Sequence, residues 1–117
     1  MSKDWRVCAQ HILDTIQKLE RIQQRGELAE DEVLYDASLR NLQTLSEATH
    51  ELPDAAKQIH PEIPWKEISG FRNILVYNYL GDIDAQTVMK VLQNDLPPLR
   101  SAVRGMLDAD AKPKDNL

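Results

Sequence analysis

Apolar residues in this chain recur at three- and four-residue steps, and prolines cut the pattern into segments. Trp5, Cys8, Ala9, Ile12, Ile16 and Leu19 form one such stripe. That spacing lays an apolar face along a helix and is incompatible with the alternation of a half-buried strand. Ser2 is the expected N-cap of this helix and Gly26 its C-terminal stop. Asp31 opens a second stripe of Val33, Leu34, Ala37, Leu42, Leu45 and Ala48, running to about Leu52, where Pro53 ends it. Two long helices joined by a short turn are expected to pack antiparallel.

The remaining punctuation is equally informative. Ala55–Ile59 reads as one or two helical turns, and His60-Pro61-Glu62-Ile63-Pro64 as a connector, because each proline turns its predecessor away from helix. Pro64 is suited to the first position of a fourth helix, which is expected to end at Gly81. Asp84 then caps a last helical region with Val88, Leu92, Leu99, Val103 and Leu107 as its apolar set. Pro97-Pro98 is expected to break or kink that region after Asn94. Glycine and aromatic residues are scarce beside strong helix formers, which disfavours a sheet. The expected fold is an all-α, compact antiparallel bundle of about four to six helices. With 117 residues it fits one domain, over 1–107, with a polar tail over 108–117.

A net charge of −5 argues against a nonspecific nucleic-acid coat but leaves room for a locally basic cleft. The single cysteine, Cys8, cannot form an internal disulfide and suits a reducing compartment. No apolar run approaches the ~20 residues of a membrane span, and Met1-Ser2-Lys3-Asp4 does not read as a signal peptide. A cytoplasmic protein without a membrane partner is expected.

The chemistry-bearing stretch is Phe71-Arg72-Asn73-Ile74-Leu75-Val76-Tyr77-Asn78-Tyr79, followed by Leu80-Gly81-Asp82. On an ideal helix the step from Arg72 to Tyr77 turns about 140°, whereas the step to Tyr79 returns close to the same face. Tyr77 lies one turn beyond Asn73. Taken alone, Arg72, Asn73 and Asn78 read as readily as a solvated face over a core of Ile74, Leu75 and Val76.

The surrounding frame favours the chemical reading over the solvated face. The stretch resembles the active-site helix of the HEPN superfamily, in which an Arg is followed within two turns by a His. From Tyr35 to about Leu107 the chain is similar to the HepT-type ribonuclease toxins. Leu39-Arg40-Asn41-Leu42-Gln43-Thr44-Leu45-Ser46-Glu47-Ala48 resembles the family's arginine-led segment ending in Gly-Glu-Ala, with Ser46 in place of the Gly. Ile63-Pro64-Trp65 and Gly70-Phe71-Arg72-Asn73 resemble its Ile-x-Trp and Gly-x-Arg-Asn elements. Leu80–Asp84 resembles the exit loop, and Asp95-Leu96-Pro97 the signature of the last helix.

The resemblance implies a bundle that dimerises through the motif helices and cleaves RNA without a metal or other cofactor. In that chemistry a base takes the 2′-OH proton and a cation stabilises the charged phosphate. Arg72 suits the second role, because a guanidinium holds phosphate oxygens with two parallel hydrogen bonds. Asn73 and Asn78 can orient substrate through their amides. Tyr77 stands where the family has its His. A phenol titrates near 10 and an imidazole near 6.5, so a shift of roughly three units, about 4 kcal/mol, separates Tyr77 from an effective base at neutral pH.

Tyr79 matches the family's motif Tyr, to which a MntA-like nucleotidyltransferase antitoxin attaches AMP in HepT–MntA systems. A half-buried tyrosine capping the core is the alternative for that residue. Glu47 resembles the family's helix-two glutamate, an ion-pair partner or a solvated residue. His11, His50 and His60 show no ligand spacing, and no zinc or phosphate-loop pattern occurs. Cys8 reads as core, and Trp5 and Trp65 as packing anchors. Two readings compete with a weakened ribonuclease toxin: a catalytically inactive HEPN dimer that binds a partner or nucleotide, and a plain helical scaffold.

Overall fold

The computed structural model describes residues 4–77 and 84–111, with side chains omitted for 72–77. Six helices account for the regular structure among these residues: α1 (Trp5–Arg25), α2 (Glu32–His50), α3 (Asp54–Gln58), α4 (Trp65–Tyr77), α5 (Ala85–Asn94) and α6 (Leu96–Ala111). The all-α expectation holds, and no strand occurs among the described residues.

The start of α1 differs from expectation. Its N-cap is Asp4, whose carboxylate accepts from the Arg6 amide at 3.0 Å, while Ser2 lies outside the described residues. A charged carboxylate at this position satisfies a free amide and also meets the positive end of the helix dipole. Asp31 caps α2 as expected, accepting from the amides of Val33 and Leu34. Asp84 caps α5 by accepting from Gln86. The break at the proline pair is real. α5 stops at Asn94, and α6 begins at Leu96 with Pro97 and Pro98 in its first turn, where missing amide donors leave no helical bond unmade. The motif helix uses Pro64 one position earlier than anticipated, its carbonyl accepting from Ile68 just ahead of Trp65.

Gly26 ends α1 in extended backbone, so its value lies in size. A Cβ there would stand 3.2 Å from Cδ1 of Leu34, where the start of α2 closes over the turn. At the opposite end, Val7 and Cys8 of α1 share a cavity with Ala48 and Glu51 of α2. The pair is therefore antiparallel. α6 runs antiparallel to α1 as well, since Arg6 pairs with Asp110 and Glu20 with Arg100 at its two ends. Ion pairs at the surface such as these add little stability.

The core is the meeting of the stripes. Ile12, Ile16 and Leu19 are fully buried, as are Leu99, Val88 and Val103, with Leu42 and Leu45 nearly so. Each such side chain stabilises the fold by about 1.5–3 kcal/mol relative to exposure. Val33 is the exception: at 74% exposed it faces solvent from the first turn of α2. Four buried hydroxyls interrupt the apolar packing. Thr15, Ser38 and Ser46 donate to the carbonyls of His11, Leu34 and Leu42, and Thr49 donates to that of Ser46. All four are thus paired within their own helices, which removes the cost of burying them.

The position of α4 matters most for function. It packs extensively on α2 alone among the described elements, at the flank of the bundle. Trp65 anchors its start: the indole N–H donates to the carbonyls of Lys57 at 3.0 Å and His60 at 2.9 Å while the ring packs on the core. Thr49 Oγ1 and Ser69 Oγ then meet at 3.4 Å. Thr49 is the penultimate residue of α2 and Ser69 lies little more than a turn into α4, so extended packing requires α4 to run back along α2. The bundle is therefore antiparallel through α6, α1, α2 and α4.

Candidate functional site

Arg72, Asn73 and Tyr77 all lie on α4, with Arg72 one helical turn beyond Ser69. Because the two helices run antiparallel and rise equally, Arg72 comes level with the turn of α2 that holds Ser46 and Glu47. Asn78 and Tyr79 lie outside the described residues, as does Gly81, the expected helix end.

Ser69 also borders a cavity of about 630 Å³. α2 forms its floor, contributing Thr44, Glu47, His50 and Glu51; α1 forms one wall with Val7 and His11, and Ser69 of α4 stands opposite. This volume lies in the range of small-molecule sites, which run about 300–1,000 Å³. Cys8, read from sequence as core, is indeed buried, at 7% exposed, and lies beneath this cavity as well as against the core. Ser46, standing at the family's Gly position, is buried with its hydroxyl turned back onto Leu42.

The cavity brings together residues that the sequence does not connect. His11 and His50 show no spacing that marks them as partners, yet both line the same space from different helices. His60 stands apart. Its Nδ1 is 3.5 Å from a Glu62 carboxylate oxygen, and its ring lies beside Gly105, where an added Cβ would meet Cε1 at 3.7 Å. Among the described residues, no group of three or more His, Cys, Asp or Glu side chains is arranged to hold a metal ion.

Asp95, at the junction of α5 and α6, is half-buried. Burial, and secondarily the negative charge of Glu67 on α4, push its carboxyl above the usual carboxylate range. No helix among the described residues is long and apolar enough to cross a membrane.

Comparison with known proteins fixes the family. The family model for "Ribonuclease HepT-like" proteins matches residues 10–106, which takes in α2, α4 and the cavity floor. The chain belongs to the HepT-like family. A Thermococcus cleftensis protein named "Probable ribonuclease HepT" is 36% identical over 64 residues, covering 55% of this chain and 57% of that protein. A Caldanaerobacter subterraneus protein named "Putative RNase" is 30% identical over 84 residues, covering 72% of this chain and 74% of that one. A Methanocaldococcus jannaschii protein named "Gamma-glutamylcyclotransferase and putative RNase" is 29% identical over 119 residues, 99% of this chain and 53% of its own. The HepT-like chain thus spans little more than half the length of two of these three relatives. No solved structure matches it.

Proposed function

We propose that this HepT-like chain is the toxin component of a toxin–antitoxin system, a metal-independent endoribonuclease weakened by Tyr77. The observation that carries the reading is the family match over residues 10–106, which includes Arg72, Asn73 and Tyr77 on one helix. Arg72 is assigned to the scissile phosphate, where a planar guanidinium offers two parallel donors. Asn73 and Asn78 are assigned to substrate orientation. Tyr77, a phenol at the family's His position, is a poor base near neutral pH and lowers the rate.

The active form is taken to be a homodimer joined through α4. Two features support this. α4 packs extensively on α2 alone among the described elements, which leaves its far side for a second copy. Among the described residues nothing lies within 4 Å of a Cβ added at Gly70, so another backbone can approach it closely. Regulation is assigned to a MntA-like nucleotidyltransferase that adds AMP to Tyr79, a modification that would bring negative charge to the site where RNA phosphate must bind.

The test uses the Tyr77→His version on single-stranded RNA without metal. Cleavage is expected, with loss on adding Arg72→Ala while light scattering still reports a dimer at tens of micromolar. Unchanged cleavage in the double variant would remove Arg72 from the site, and a monomer would remove the shared cleft. The phenol at position 77 also favours a second reading, a HEPN dimer kept for partner or nucleotide binding; absence of cleavage by Tyr77→His would select it.

A further inference from the structure

We propose that His11 and His50 carry the proton transfers of RNA cleavage in the chain as it stands, making the cavity over α2 the working cleft in place of the motif's own base. The inference rests on the ribonuclease reading above and deepens it. Three observations lead to it. Both residues are exposed and line the same cavity of about 630 Å³, one from α1 and one from the last turn of α2. Among the described residues neither imidazole has a hydrogen-bond or ion-pair partner, whereas His60 is engaged with Glu62 and packed beside Gly105. The cavity is also bordered by Ser69, one helical turn before Arg72 on α4, the residue assigned above to the scissile phosphate.

The chemistry needs two proton-transfer groups and one cation; the two imidazoles are assigned the first task and Arg72, as in the reading above, the second. A neutral imidazole takes the proton of the ribose 2′-OH, and the 2′-oxygen attacks phosphorus. The bond from phosphorus to the 5′-oxygen breaks, and the second imidazole, protonated, gives its proton to that leaving oxygen. The products are a 2′,3′-cyclic phosphate and a free 5′-OH. No water is consumed and no electrons are transferred. The two imidazoles exchange protons with solvent before the next turnover. Among the described residues the charged groups that line the cavity with them are Glu47 and Glu51 from the floor; α1 adds the buried Cys8 thiol as a further titratable group, and α4 the neutral Ser69. These floor carboxylates repel a phosphate, so its attraction is assigned to Arg72, as in the reading above.

The experiment measures cleavage of a short single-stranded RNA by the full chain between pH 5 and 9, beside His11→Gln, His50→Gln, His60→Gln and Tyr77→His. Slow cleavage with a bell-shaped pH profile is expected of the chain as written, because one imidazole must be neutral and the other protonated. His11→Gln and His50→Gln should each lower that rate by ~100-fold or more, and His60→Gln should leave it nearly unchanged. Both mutated side chains are exposed, and circular dichroism should show unchanged helicity. Full activity in His11→Gln and His50→Gln overturns the proposal. So does a silent parent beside an active Tyr77→His version, an outcome that leaves the ribonuclease reading standing. Silence of both defeats the ribonuclease reading and this inference together.

Discussion

Thr49 Oγ1 and Ser69 Oγ, 3.4 Å apart, form a polar contact between α2 and α4 among the described residues. The same Thr49 hydroxyl donates to the Ser46 carbonyl at 2.8 Å, so one buried group ties the end of α2 to itself and to the motif helix. Thr49→Val keeps the shape and removes both interactions. It should cost about 1 kcal/mol, the usual net value of an internal hydrogen bond, read as a lower urea midpoint at unchanged slope. A stability equal to the parent's would show that the Thr49 hydroxyl adds nothing net to the packing of α4 on α2.

Asp95 provides a pH signature. Its carboxyl is held above the usual range by burial and by Glu67, so the folded chain binds this proton more tightly than the unfolded chain. Stability therefore falls as pH rises from the ordinary aspartate value, about 3.9, through the raised one, and stays lower above it. Asp95→Asn removes the charge and should be more stable than the parent at pH 7. That gain should vanish below about pH 3.9. Thermal melts across pH 3–8 check it, and a variant less stable at pH 7 would contradict the sign.

The contrast between fold and site shows what a sequence carries. Helix starts at Asp31 and Asp84 were legible because a cap is a local event, decided by a side chain and the amides two or three residues on. The proline pair was legible for the same reason, since a missing donor acts within one turn. Ser2 and Asp4 compete for the same role at short range, and the charged oxygen took it. Val33 satisfies the spacing of its stripe yet faces solvent, because burial in a first turn depends on what lies across from it. Arg72 and Tyr77 could be singled out by their place in a family motif on one helix. His11 and His50 could not, because only the antiparallel pairing of α1 with α2 brings them to one cavity.

Regulation through Tyr79 yields a mass-spectrometric prediction. On an ideal helix Tyr79 lies about two turns beyond Arg72 on nearly the same face, so a nucleotide there would occupy the path of the RNA backbone. Incubation with a cognate MntA-like nucleotidyltransferase, ATP and Mg²⁺ should add AMP in unit steps, mapped by peptide analysis to Tyr79. Tyr79→Phe should abolish the addition. Full modification persisting in that variant would transfer the assignment to Tyr77, the neighbouring phenol.

The most direct measurement is the rate of RNA cleavage by the chain as written against its Tyr77→His version, at neutral pH and without metal. A restored general base contributes typically 10²–10⁴-fold, so the variant should cleave at least ~100-fold faster. Equal rates in the two proteins would contradict the account, because they would mean that a histidine at position 77 adds no base to the site.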